Sequence, residues 1–426
     1  MSDTTAIRTP ARSAQDFATS YQASSWCISQ VPITILNDRY NLNAGRLAGG
    51  NMHRGAGTGM PERSPDADLT VAQLGEFGLI DRLARIVNGG RRDPLRPEPT
   101  GDVGIGDDAA LWRPRRGFRE VLTTDALIEG IHFRHSTTSW KDLGWKALAE
   151  NVSDIAAMGA HPTRAFVTLG LRPDTRILDL DSLYRGFADF TRQALEGGFG
   201  FTIAGGDTVS SPFTMLSITV LGELRGDGLR RAAGQAGDLL AVTGALGGSA
   251  GGLAILEHGS PPLGNPDVAS LVDIHRRPAP RVLEGLALVD AGVRCGMDLS
   301  DGLLGDVGKL AYASGLRATI DLHTLPMPPA LWRHFDAESA QMMALSGGED
   351  YELLVAAPEA VIERASALLD EYRTERPGSG HLAPLTVVGR LEAGEPGQVV
   401  VQDEHGRPIA PPRSSWDHFR SGGSEP

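Results

Sequence analysis

The chain is poor in cysteine: Cys27 and Cys295 are the only two in 426 residues. Two thiols cannot make a disulfide framework or a cysteine-based metal site. Long apolar runs are also missing, and no stretch approaches the roughly 20 uncharged residues of a membrane helix. The N-terminus, Met1-Ser2-Asp3-Thr4-Thr5, has no basic segment followed by an apolar one, so no secretory signal is expected. A cytoplasmic protein that does not engage membranes is the expectation. Basic charge is in deficit as well, with 40 Lys and Arg against 53 Asp and Glu and a formal charge of −13. Nonspecific nucleic-acid binding relies on clustered positive charge, and that balance argues against it. Neither a GxGxxG turn nor a GxxxxGK[ST] phosphate loop occurs, which removes Rossmann and Walker-type machinery. No Ser-His-Asp or Cys-His grouping stands out for nucleophilic work.

What is present is a series of acidic turns. Gly104-Ile105-Gly106-Asp107-Asp108 sets two adjacent carboxylates in a glycine-rich turn. Such a pair is unfavourable unless water or a cation compensates it, and glycine permits close approach to a ligand. Alone it reads as a solvated turn. Repetition changes that reading, because Thr123-Thr124-Asp125, Asn151 to Asp154, Gly205-Gly206-Asp207-Thr208, Asp298 to Gly302 and Ser346 to Asp350 follow. Mg²⁺ takes carboxylate, hydroxyl and water oxygens and typically bridges protein carboxylates to phosphates. An acidic protein that handles phosphates needs metal ions to supply positive charge, so metal-assisted phosphoryl transfer is the class the residues favour.

Residues 1 to about 70 lack hydrophobic periodicity and carry a Gly-rich stretch from Ala44 to Gly59. Residues 1–73 are therefore expected to be a disordered extension, or to reflect a start truly at Met52 or Met60. Order is expected from Leu74, where Phe77, Ile80, Leu83 and Ala84 recur at helical spacing. Strands are expected at Ala109–Trp112 and Val121–Thr124, paired around Arg113–Gly117. A helix over Leu143–Met158 has Leu148, Val152 and Ile155 as its core stripe, with Asn151 and Asp154 at its edge. There Asp154 is either a metal ligand or a hydrogen-bonded structural residue. A strand at Arg164–Leu171, a helix at Leu178–Glu196 and strands at Phe201–Ala204 and Met215–Leu221 complete one α+β half, 74–228, ending at Gly226-Asp227-Gly228. The second half, 229–426, opens on the strand Leu239–Gly244. That strand feeds Gly247-Gly248-Ser249-Ala250-Gly251-Gly252, read as close strand–helix packing in preference to a phosphate cradle. A helix over Leu303–Ala313, with Asp301 as a possible N-cap, and a hairpin at Val399–Gln402 and Pro408-Ile409 follow. Two α+β domains sharing a cleft is the economical architecture.

The motifs make the chain resemble the thiamine-monophosphate kinase family, within the superfamily of aminoimidazole ribonucleotide synthetase and selenophosphate synthetase. The likeness runs from about Leu74 to Phe419. It rests on Gly75-Glu76-Phe77, Gly106-Asp107-Asp108, Thr124-Asp125 with His132, Asn151 to Gly159, Gly205 to Thr208, Asp298 to Gly302, Ser346 to Glu352 and Trp416 to Phe419. It implies an aminoimidazole ribonucleotide synthetase-like fold of two α/β sandwich domains, and ATP-dependent phosphorylation of thiamine monophosphate to thiamine diphosphate with several Mg²⁺ ions. It also implies a homodimer through the N-terminal domains. Residue by residue, it makes Asp108, Thr123, Thr124, Asp125, Asp154, Asp207, Asp298 and Asp301 the metal shell. Tyr184, Gly206, Asp207, Arg231 and Ser300 would meet the nucleotide, and His132, Glu349 and Trp416 thiamine monophosphate. Core packing rivals the nucleotide role for Tyr184, and plain surface charge rivals it for Arg231. A different ATP-using member of the superfamily and a non-catalytic nucleotide or thiamine-phosphate sensor are the alternatives.

Overall fold

The structure, a computed structural model, describes residues 66, 68–87, 89, 102–105, 109–259, 264–375 and 382–409. The turn Gly106-Asp107-Asp108, the segment Trp416 to Phe419 and the N-terminal stretch through Pro65 lie outside the described residues.

The first half follows the hydrophobic periodicity closely. A short helix α1 (Val71–Leu74) leads into α2 (Glu76–Val87), then β1 (Arg119–Ile128), α3 (Trp140–Ala157), β2 (His161–Leu171), α4 (Ile177–Glu196), β3 (Thr202–Ser210) and β4 (Met215–Leu224). The four strands form one sheet in the order β1-β4-β2-β3. Its neighbours are antiparallel except β2 and β3, which run parallel. Alternation along β4 buries Leu216, Ile218 and Val220, and along β2 Ala165, Val167 and Leu169. That face joins one core with α3 and α4.

The second half comprises β5 (Leu239–Thr243), α5 (Gly248–Glu257), α6 (Pro266–Arg276), α7 (Val282–Asp290), β6 (Cys295–Asp298), α8 (Leu303–Ala313), β7 (Arg317–Asp321), α9 (Pro329–His334), α10 (Ala337–Ser346), β8 (Leu353–Ala357), α11 (Glu359–Glu375), β9 (Leu385–Glu392), β10 (Val399–Gln402) and β11 (Pro408–Ile409). Its sheet has seven strands, ordered β11-β10-β7-β9-β5-β8-β6. Mixed sheets with helices against them fit the expected α+β class. The β10–β11 hairpin pairs Val401 with Ile409 and Gln402 with Pro408.

Three local expectations are corrected. Ala109–Trp112 does not pair with Val121–Thr124; Leu111 bridges Val103, while β1 lies wholly along β4. In α2 the buried residues are Leu79, Leu83 and Ala84, and Phe77 is 85% exposed. The 3.6-residue period is right, but the stripe is centred on Leu79 and Leu83, which leaves Phe77 outside it. β3 runs on through Gly205-Gly206-Asp207 to Ser210 instead of stopping before them.

Helix α3 positions the site. It carries the expected buried stripe of Leu148, Val152 and Ile155, each fully buried, but Lys146, Asn151 and Ser153 are buried as well. It packs on α4, on β1, β2 and β4 of the first sheet, and on α6, α7 and β6 of the second half. A helix enclosed on nearly every side must pair all of its polar side chains.

Candidate functional site

Where α3 meets both halves, Asp154 lies within electrostatic reach of two further carboxylates, Asp125 and Asp298. Asp125 comes from β1, Asp154 from the last turn of α3 and Asp298 from the end of β6. The Thr123 hydroxyl donates to Asp154 at 2.5 Å, and the Ser153 hydroxyl donates to Asp298 at 2.8 Å. The second bond ties the two halves directly. Asn151 accepts from the Asp125 amide at 3.1 Å and donates its own amide to the Ala147 carbonyl at 3.0 Å. Its edge position thus fixes the β1 backbone, not a ligand.

The carboxylates disfavour one another's charge. Asp298 is pushed up to about 7, by burial first and then by Asp154, against the Ser153 hydrogen bond and the charge of Arg231. Asp125 is pushed up to about 6 by loss of solvent and by Asp154. Burial raises Asp154 too, while Thr123 and Arg231 oppose the rise. Arg231, on the connection between the sheets, is the basic side chain that offsets both Asp154 and Asp298. Surface charge alone does not describe its setting. A hard divalent cation would relieve this repulsion, and an all-oxygen donor set suits Mg²⁺. The described residues contain no group of three or more His, Cys, Asp or Glu already drawn together around one metal position.

Other predicted residues fall elsewhere. Adjacent strand residues point to opposite faces. Thr123 and Asp125 therefore face α3, while Thr124 faces away, its hydroxyl donating to Ile218 O and accepting from Thr219. Register places Asp207 on that same far face, at the opposite edge strand β3, its carboxylate accepting from the Thr208 amide at 2.7 Å. The structure thus separates Thr124 and Asp207 from the three-carboxylate cluster. Gly206 is demanded by the sheet itself, since a Cβ there would lie 1.9 Å from the Val167 carbonyl. Tyr184 is buried on α4, edge-to-face with Phe187, and burial holds its phenol protonated. Its observed contacts are those of a packing residue. Asp301 does not cap α8: Asp306 accepts the Ser300 and Asp301 amides at 3.0 Å each, while Lys309 pairs with both Asp301 and Asp306. Asp108 and Trp416 are outside the described residues.

The segments Asp298–Gly302 and Ser346–Glu352 are zipped together by backbone. The Glu349 amide donates to Ser300 O at 2.8 Å, Tyr351 to Leu299 O at 2.9 Å, and Leu299 to Glu352 O at 2.8 Å. Glu349 and Tyr351 are the two non-glycine residues with left-handed φ, 67° and 51°, among those described. Such backbone costs energy and needs support from its surroundings. The three acids of this segment divide sharply. Asp350 accepts from the Gly247 and Ser249 amides at 2.6 and 3.1 Å, filling the glycine turn that opens α5. An internal carboxylate already occupies that cradle, so the glycines serve close packing: a Cβ on Gly252 would lie 2.1 Å from Leu271 O. Glu352 receives both arms of Arg281 at 2.6 and 2.5 Å and the Thr243 hydroxyl at 2.7 Å. Only Glu349 turns to α3, where Lys146 Nζ donates to it at 2.9 Å, with His275 at 3.5 Å. His132 accepts the Ile128 amide through Nδ1 at 3.0 Å, and its ring lies within electrostatic reach of Glu349.

Comparison with known proteins gives this arrangement a family. The model of the AIR synthase related protein N-terminal domain matches residues 106–224, and that of the C-terminal domain matches 235–401. Thiamine-monophosphate kinase of Escherichia coli K12 is 37% identical over 348 residues, 81% of this chain and 98% of that protein. The chain belongs to the thiamine-monophosphate kinase family. A family member of known structure, from Stenotrophomonas maltophilia K279a, is 35% identical with a TM-score of 0.63, over 79% of this chain and 98% of its own. Another, AaThiL complexed with AMPPCP and TMP, is 28% identical with a TM-score of 0.61, over 82% and 98%. These three relatives are each matched over 98% of their own length, and the two family models cover most of both sheets. Lys146, Glu150 and Ser153 adjoin carboxylates of this site, and the acidic-turn pattern does not reveal them. Their only signal is faint: at i, i+4 and i+7 they share one face of a helix that carries Asn151 and Asp154 on another.

Proposed function

We propose that this chain transfers the γ-phosphoryl group of ATP to thiamine monophosphate, giving thiamine diphosphate and ADP. The observation that carries the reading is that Asp125 and Asp298, from the two halves of a chain belonging to this family, both lie within electrostatic reach of Asp154. AaThiL, with AMPPCP and TMP bound, supports the same pair of ligands here.

The acceptor is a phosphate monoester with a second pKa of about 6, so near neutral pH it is already a nucleophile. Its oxygen forms the new bond to the γ-phosphorus as the bond from that phosphorus to the β–γ bridging oxygen breaks, and ADP leaves with the electron pair. No protein base is required. What remains is to bring two polyanions together and hold them in line, the work of positioning and charge neutralisation. Asp125, Asp154 and Asp298, with Asp108, Thr123 and Asp301, are the residues that would hold Mg²⁺. Thr124 and Asp207, on the far face of the sheet, would take part only at a position apart from that cluster. The metal, when bound, supplies the positive charge that offsets the phosphates. Arg231, Ser300, Gly206 and Tyr184 remain the nucleotide-side proposal, and His132, Glu349 and Trp416 the thiamine side. The permanent thiazolium cation suits a carboxylate and an aromatic face.

A homodimer through the first sheet is part of the same reading. Its support is a face carrying Leu122 at 64% and Val209 at 43% exposure, flanked by the two edge strands β1 and β3.

The deciding experiment incubates the protein with ATP, Mg²⁺ and thiamine monophosphate and measures thiamine diphosphate with ADP. Product is expected, and Asp125→Asn should lower kcat by about a hundredfold or more without shifting Tm downward. Bound ATP without product would favour a sensor. Wild-type rates in the variant would remove Asp125 from the metal shell.

A further inference from the structure

Lys146 is among the largest fully buried side chains of the described residues, 1% exposed on a helix enclosed by both halves. A buried ammonium is costly unless paired, and here the pairing is specific. Its Nζ donates to Glu349 Oε2 at 2.9 Å across 203 residues of sequence. Glu349 sits on strained backbone whose amide is held by Ser300 O. His275 approaches the same carboxylate at 3.5 Å and bonds Ser249 at 3.0 Å through the same nitrogen. The charged and titratable groups facing Glu349 are Lys146 and Glu150 from α3, His275 from α6, His132 from the loop after β1, and Asp350 and Tyr351 from its own segment.

We propose that Lys146 is a positioning residue of the thiamine-monophosphate site: it aims Glu349 and keeps it ionised, so that a full negative charge meets the substrate's permanent cation. This rests on the functional reading above, in which Glu349 contacts that substrate.

The charge balance supports the assignment. Burial alone would push the Glu349 carboxyl up, but it lies below the usual range, and Lys146 is foremost among the groups that oppose the rise, through its charge and its hydrogen bond. Glu150 shows the other outcome. With the same lysine nearby, burial and the charge of Glu349 push it up to about 8, and it shares a hydrogen bond with Tyr351. One ammonium thus supports one carboxylate, Glu349, which reaches toward α3 from a segment whose backbone is bonded to Ser300. Burial also pushes His275 down to about 4, helped by Lys146, so near neutral pH it cannot replace the lysine's charge.

The test compares wild type, Lys146→Met, Glu349→Gln and Lys146→Met/Glu349→Gln, measuring KM for thiamine monophosphate and for ATP with kcat. In Lys146→Met the thiamine-monophosphate KM should rise about tenfold or more, with ATP KM changed less than about twofold. Without the ammonium, burial returns a proton to Glu349. The ratio of variant to wild-type KM should therefore grow as pH falls from about 8.5 to 6, a trend the substrate's own titration cancels from the ratio. The double variant carries neither buried charge and guards against misfolding of the single one. Its thiamine-monophosphate KM should equal that of Glu349→Gln, because Lys146 acts only through Glu349. A further rise in the double variant, or a pH-independent ratio in Lys146→Met, overturns the proposal. Failure of wild type to make thiamine diphosphate overturns the functional reading itself.

Discussion

His275 shows how one side chain's setting becomes a property of the molecule. It is buried, and loss of solvent, reinforced by Lys146 and opposed by Glu349, pushes it down to about 4. In the unfolded chain it titrates near 6.5. The folded state therefore binds fewer protons between those values. The contribution of His275 to stability is complete above about pH 6.5 and is lost as pH falls toward 4, by an amount on the order of 2–3 kcal/mol. His275→Gln gives up the Ser249 contact, costing about 1 kcal/mol at neutral pH, and removes the titration. Urea unfolding should find the variant less stable than wild type near pH 7.5 and level with or above it near pH 4.5. Parallel stability curves would contradict this. Residues like His275 and Lys146 are the least legible in the sequence, because a lysine in Trp145-Lys146-Ala147 looks like any solvated helix position. Asp125, Asp154 and Asp298 are legible, since a carboxylate beside small or polar residues at the end of an apolar run has few reasons to be there.

At the scale of elements, period is readable in the sequence and termination is not. β3 extends through Gly205-Gly206-Asp207 because the register with β2 continues and Gly206 admits the Val167 carbonyl, a tertiary cause that a glycine pair resembling a turn conceals. Strand alternation, by contrast, is a local rule, and the order Thr123-Thr124-Asp125 by itself puts Thr124 on the opposite face from its two neighbours. The crossing of α3 and α4 is another tertiary cause. A Cβ at Gly144 would lie 2.1 Å from Leu183 O, and one at Gly186 would lie 2.0 Å from Lys141 O, so the two backbones touch through paired glycines. Alanine at Gly186 gains about 1 kcal/mol of helix propensity. It must also push apart two helices whose contact is backbone on backbone, at about 1–3 kcal/mol or more, which no rotamer change relieves. Gly186→Ala should therefore destabilise by up to about 2 kcal/mol in chemical denaturation. Kinase turnover should fall alongside, since α3 carries Lys146, Ser153 and Asp154. A stabilised variant would mean that the helices separate freely.

At the scale of the whole molecule, the α+β class is legible from alternating strands and helices, and the seven-strand order is not, because long-range pairing leaves no local trace. The first sheet raises a question of closure. One face is buried against α3 and α4, while the other presents Leu122, Thr124, Phe166, Thr168, Asp207, Ser217, Thr219 and Val209, with both edge strands unpaired among the described residues. A sheet left open in this way is a template for another strand or another sheet. Phe166 is partly screened by Trp112, whose ring lies 6.4 Å away and carries Arg164 on its face, whereas Leu122 has 64% of its surface exposed. A second copy that covers this face would remove the exposed leucine and both edges together, with the threonines supplying hydrogen bonds at the seam. Light scattering should then give twice the 45.2 kDa of one chain. Leu122→Glu puts a charge where the copies meet and cannot be neutralised by any neighbour on β4, whose paired residue is Leu221. It should yield a folded monomer with an unchanged circular dichroism spectrum, at a cost to association of at least about a hundredfold. A wild-type protein that scatters as a single chain at micromolar concentration would show that the open face has another use.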